Sequence, residues 1–169
     1  TLVHRGRLAE AKTLFLAARP VADQLADRSL VASTRANLAL VARRMGDLAT
    51  ASTEQEAALA IRREIGQRAA ESSSLVDIGW IAFLRGELEA AAGSWNEALA
   101  IAREVGAKRF EAGALDGLGR LSMVRGDQVR TRERHEEALA LRRESGDPVA
   151  VAESRLALAR LALDQGQRE

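Results

Sequence analysis

The chain has 169 residues, 47% of them hydrophobic and 29% charged, with a formal net charge of +1. That balance belongs to a folded domain with a core; it excludes a disordered charged tail and disfavours an electrostatic grip on nucleic acid or a membrane surface. Cysteine is absent, which excludes disulfides and thiolate–metal sites, and no apolar run approaches the roughly 18 residues of a membrane span.

Alanine, leucine, glutamate and arginine dominate a chain with two prolines, so helices are expected throughout. Gly6, Gly46, Gly86, Gly126 and Gly166 form one evenly spaced ladder. Gly66, Gly106 and Gly146 form a second ladder of the same period, with Ala26 in its first slot. Each half-interval reads as one helix ended by a left-handed residue. The first, over residues 7–25, carries Pro20 in the column of Ala60, Ala100 and Ala140, which predicts a kink or an end there. Asp47, Glu87 and Asp127 follow the glycines and suit the positive end of the next helix. From Gln67 to Leu84 two apolar stripes run side by side. Leu75, Ile78, Gly79 and Ala82 are expected to meet a paired helix, and Ser73, Val76, Trp80 and Phe83 lie on another face. Between Gly86 and Gly106, Leu88, Ala91, Trp95, Ala98 and Ala102 recur at spacings of three and four. The next helix holds Leu115 and Leu118 beside Gly113, Gly117 and Gly119, a cluster that reads as close helix packing. After Gly126, Gln128 and Thr131 replace leucine and alanine, so looser packing is expected. Arg130, Arg132 and Arg134 form a cluster there, in which helical spacing puts Arg130 and Arg134 together beside Glu133 and Glu137 for i,i+3 or i,i+4 pairs. Asp147-Pro148 opens the last helix. The short turns give about eight antiparallel helices, which bury their apolar faces only by stacking.

The stretch Leu75 to Trp95 resembles a tetratricopeptide repeat. The family's Leu-Gly pair falls on Ile78-Gly79 and Leu118-Gly119, with Leu38-Ala39 and Leu158-Ala159 as conservative versions. Its inter-helix Gly-Asp falls on Gly46-Asp47, Gly86-Glu87 and Gly126-Asp127. Its small residue falls on Ala51 and Ala91, its aromatic on Trp95, and its Ala-Leu pair on Ala58-Leu59, Ala98-Leu99 and Ala138-Leu139. The resemblance covers essentially the whole chain, but the period is about 40 residues where the family's usual one is about 34. The longer form is similar to repeats of kinesin light chains, large bacterial signalling ATPases and LuxR-type regulators. It implies an all-α fold, a right-handed α-α superhelix forming one array over residues 1–169. Its phasing makes 27–66, 67–106 and 107–146 full repeats. Residues 1–26 are then an unpaired second helix and 147–169 a first helix whose partner only begins. That phasing predicts a fragment of a longer array, with uncapped ends on which another copy could stack.

The resemblance also implies a concave groove that binds a protein or peptide partner, another domain of the parent chain included. The groove positions are Leu40 and Arg43; Val76, Trp80 and Phe83; Asp116, Arg120 and Met123; and Leu156 and Arg160. Beside them Ser33, Ala36, Ser73, Gly113, Glu153 and Leu163 share the same face. Aromatics and arginine are what interface hot spots are made of; packing of Trp80 on neighbouring first helices is the equal alternative. The family's carboxylate clamp is not assembled, since Asn37 alone falls on one of its positions. A sensory or regulatory segment of a larger bacterial regulator or kinase, and a self-assembly module, are the other functional readings. No cofactor, metal or catalytic role is expected: His4 and His135 are far apart in the repeat frame, and no phosphate-binding glycine loop occurs. The arginine pairs Arg43-Arg44, Arg62-Arg63 and Arg142-Arg143 suit helix C-termini. A cytoplasmic location fits.

Overall fold

The computed structural model describes the backbone of residues 2–166 and the side chains of residues 6–163. Thr1, the expected start of a helix after Gly166, and the side chain of His4 lie outside the described residues. The described chain forms α1 (Leu2–Gln24), α2 (Arg28–Met45), α3 (Leu48–Glu64), α4 (Arg68–Leu84), α5 (Leu88–Glu104), α6 (Lys108–Val124), α7 (Gln128–Ser145) and α8 (Pro148–Gly166).

The punctuation is local chemistry. Gly46, Gly66, Gly86, Gly106, Gly126 and Gly146 all have φ between 67° and 83°, the left-handed region that a glycine enters without a Cβ clash. Ala26 holds the same slot at φ 52°, where its Cβ makes the conformation costly. The carboxylates of Asp27, Asp47 and Asp127 accept hydrogen bonds from the N–H groups of Leu30, Thr50 and Arg130. Asp147 accepts from Val149 and Ala150. Each such cap stabilises its helix by about 1 kcal/mol. Glu87 does not cap its helix; its longer side chain lies 3.9 Å from Arg85 instead.

Two expected helix ends are absent from α1. Pro20 lies inside the helix without ending it. Proline removes the hydrogen bond to the Leu16 carbonyl, but both residues are exposed, so water can satisfy that oxygen. Gly6 lies within α1 and not at its end, a position where glycine costs only about 1 kcal/mol.

Packing follows the small residues. The most extensive neighbours are α2 with α3, α4 with α5 and α6 with α7. Trp95 of α5 is fully buried, and its indole N–H donates to the Val76 carbonyl of α4 at 3.1 Å. Around it lies the main core, with Leu75, Leu99, Leu115, Leu118 and Leu121. The even-numbered helices also approach each other directly, α2 to α4 and α4 to α6. Among the described residues no such approach links α3 with α5 or α5 with α7. α2, α4 and α6 therefore form one continuous layer of the stack.

Candidate partner-binding groove

Of the expected groove residues on α2, α4, α6 and α8, Leu40, Arg43, Val76, Trp80, Phe83, Asp116 and Arg120 are half-buried, whereas Met123, Leu156 and Arg160 are exposed. Trp80 and Phe83 are anchored on the core. The Trp80 ring meets Trp95 edge-to-face at 5.1 Å and Phe83 at 6.0 Å, and Phe83 lies 5.8 Å from Trp95. Such aromatic pairs add about 0.5–1.5 kcal/mol beyond area burial. Trp80 thus packs inward and also faces a cavity.

That cavity, about 180 Å³, opens between α4, α6, α7 and α8 and is lined by Trp80, Asp116, Arg120, Met123, Thr131, His135, Glu153, Ala157, Arg160 and Leu161. It gathers Trp80, Asp116, Arg120, Met123 and Arg160 from the expected groove. Leu40, Arg43, Val76, Phe83 and Leu156 lie outside it. Val76 instead lines a neighbouring cavity with Ser73, Asp77, Gly113 and Glu153.

The cavity forms where α8 packs on α7 without the direct approach to α6 that α6 makes to α4. It also lies in the departing unit. Thr131 and His135 stand in the columns of Ala91 and Trp95, so a hydroxyl and an imidazole fill the place of a methyl and an indole. Thr131 is fully buried, its hydroxyl donating to the Asp127 carbonyl at 2.7 Å.

Asp116 is less available than its groove position implies. Its carboxylate lies 3.1 Å from Nδ1 of the buried His135 and accepts from the Arg142 guanidinium, which also bonds Ser154. This network ties α6, α7 and α8 together. The other edge of the imidazole packs on Gly119, where a Cβ would sit 3.1 Å from Nε2. Among the described residues no group of three side chains suits a metal ion.

Arg43 is also engaged, 3.6 Å from Asp77. Burial pushes the Asp77 carboxyl up from its ordinary value, against the opposing pull of Arg43 and Arg62. Arg62 is buried and donates to the Ala70 carbonyl and the Ser74 hydroxyl. Arg62 and Arg142 thus do more than complement a helix end. In the arginine cluster of α7, Arg130 pairs with Asp127 and Arg132 with Glu136. Glu137 reaches back to Arg103 of α5.

The periodicity by itself does not single out His135, Thr131 and Ser154 as parts of the site. The available signal is register. His135 lies one full repeat after Trp95, and Ser154 follows Arg142 at the same interval at which Ser74 follows Arg62.

The profile of the tetratricopeptide repeat family matches residues 1–64 and 30–104. No curated protein matches the chain. Among solved structures it is similar to BtubC (BKLC) from P. vanneervenii, at 25% identity and a TM-score of 0.78, over 95% of this chain and 67% of that one. It is also similar to a putative kinesin light chain of Podosopora anserina with nearly identical TPR-like repeats, at 18% identity and a TM-score of 0.69, over 98% of this chain and 82% of that one. No described helix is long and apolar enough to cross a membrane.

Proposed function

The chain belongs to the tetratricopeptide repeat family, and on that premise we propose that its inner face, centred on Trp80, holds a protein or peptide partner. The repeats of this fold mediate protein–protein interaction; the assignment of this face, and the repeat boundaries 27–66, 67–106 and 107–146, belong to the proposal.

One observation supports it most. Arg120 and Arg160 line the cavity beside Trp80 and Met123, and neither makes an ion pair with a described residue. Asp116, the nearest carboxylate on the same helix as Arg120, is occupied by His135 and Arg142. Two guanidinium groups without an ion pair to a described residue, over an apolar floor, suit a partner segment that brings both charge and apolar surface. Glu153, exposed at the rim, suits a basic group on the same partner. A domain joined to the same chain qualifies as such a partner, which is how the array would act within a larger regulator.

The experiment compares proteins retained from a lysate by the wild-type chain with those retained by Trp80→Ala and Arg120→Glu. A partner bound through this face is lost from both variants while their helical circular dichroism is unchanged. Loss of a hot-spot aromatic costs about 2 kcal/mol or more, about 30-fold in affinity. An identical retained set for all three chains overturns the assignment.

A further inference from the structure

The space beside Trp80 follows from a change in one column. In α5, Trp95 fills the gap between Gly79 of α4 and Gly117 of α6. One repeat later His135 of α7 holds that column, packed on Gly119, and a single ring stands where a double ring stood. Ala157 of α8, in the column of Gly117, lines the space that remains. Its walls are the four helices α4, α6, α7 and α8. At about 180 Å³ it is smaller than the roughly 300–1,000 Å³ of a drug-sized site. It has room for one ring or a short chain, and not for a length of polypeptide.

The walls combine apolar surface with a charge that does not cancel. Trp80, Met123 and Leu161 are apolar. Asp116 is matched by Arg142, which leaves Arg120 and Arg160 against Glu153 among the lining residues. Neither arginine donates a hydrogen bond to a described residue or forms an ion pair with one. Arg120 is half-buried, so its guanidinium is partly withdrawn from water beside apolar walls. No anion there offsets that desolvation. The lining therefore carries a surplus of one positive charge.

We propose that this cavity binds a free small monocarboxylic acid whose apolar body is about the size of one ring. The body lies against Trp80 and Leu161, and the carboxylate accepts hydrogen bonds from Arg120 and Arg160. A second carboxylate on the ligand would meet Glu153, and an amine would meet two like charges, so the single surplus charge selects a monoanion. The ligand is a small molecule and not a chain, so the site stands whether or not the groove above it holds a protein. Where it does, acid and partner share Trp80 and Arg120 and displace one another, which makes the acid a regulator of the partner.

Titration of the chain with phenylacetate tests this, followed by nuclear magnetic resonance of the indole N–H groups of its two tryptophans. The Trp80 signal, identified by its loss in Trp80→Phe, moves to saturation. Phenylacetamide, which lacks the charge, and acetate, which lacks the apolar body, each bind at least about tenfold more weakly. Arg120→Gln weakens phenylacetate binding about tenfold with helicity unchanged. Arg160→Gln, at an exposed position, weakens it too and carries the test if Arg120→Gln loses helicity. Glu153→Gln removes the opposing charge and tightens binding by up to about fivefold. The absence of a saturable shift up to about 10 mM, the weakest affinity expected of about ten ligand atoms, overturns the proposal. Equal binding of phenylacetamide, or unchanged affinity in both arginine variants, overturns it as well. The lysate comparison, made with no acid added, reads the protein partner alone, so either reading can fail without the other.

Discussion

A Cβ on Gly117 would lie 2.3 Å from Cε2 of Trp95, and one on Gly79 would lie 2.4 Å from its Nε1. The indole of α5 is held between two glycines, one on α4 and one on α6. A planar ring cannot yield as a flexible side chain does, so both positions exclude every other residue. Gly117→Ala is expected to destabilise the fold by about 1–3 kcal/mol through overpacking. Gly93, also in α5, has open space where a Cβ would go, and Gly93→Ala is expected to add about 0.5–1 kcal/mol. Urea unfolding of the two variants gives midpoints that move in opposite directions; equal shifts would falsify this account of the glycines.

The two tryptophans separate stability from binding. Trp95→Ala empties a fully buried site and is expected to cost about 3–5 kcal/mol. Trp80 is half-buried, so Trp80→Ala is expected to cost clearly less while removing the cavity wall. Thermal melts of both variants rank the losses, and a larger loss at Trp80 reverses the assignment of keystone and groove.

Glu71 predicts a pH dependence. Burial alone would raise its carboxyl, but hydrogen bonds from Arg63 at 2.8 Å and Arg68 at 2.7 Å outweigh that and hold it below its ordinary value of 4.5. A carboxyl lowered by folding contributes stability that is present above its unfolded pKa and is lost as pH falls through the folded one. Glu71→Gln is expected to lose about 1.5–3 kcal/mol at neutral pH. The gap between wild type and variant should shrink as the pH drops below 4.5. A gap that stays constant through that range rules the ion pairs out as its source.

Gln55 stands in the column of Trp95 and is almost fully buried. Its Oε1 has no partner, and its amide reaches the Ser74 carbonyl only at 3.5 Å. A buried unsatisfied acceptor costs about 1–3 kcal/mol, and methionine has nearly the same shape. Gln55→Met is therefore expected to raise stability by about 1 kcal/mol, read as a higher urea midpoint. A lower midpoint means that the weak bond to Ser74 outweighs the orphaned oxygen.

The helical stack was legible in the sequence because its signals are local and repeated. A glycine at the end of every half-repeat but the one ended by Ala26, an acidic residue after it in most units and an apolar stripe of helical period specify each helix without reference to its neighbours. The family resemblance, and not the columns by themselves, implied which face of α4, α6 and α8 lines a groove. Gly6 and Pro20 misled because each is judged by local cost, and a helix can absorb about 1 kcal/mol of glycine cost or a carbonyl turned to water.

What only the tertiary structure decided concerns partners distant in sequence. His135 and Arg142 both converge on Asp116, and Arg62 turns inward to Ser74. Those contacts depend on how α7 meets α6 and α3 meets α4, and on which side chain fills the Trp95 column in each unit. Composition and spacing specify that Asp116 and Arg120 share a helix face; they do not specify that one is spent on His135 and Arg142 while the other makes no ion pair with a described residue. Local periodicity determines the helices and their faces, because each residue there answers to neighbours three or four positions away. The uncommitted charges are determined by packing between layers, where the relevant neighbour belongs to another helix and lies up to a full repeat away in the chain.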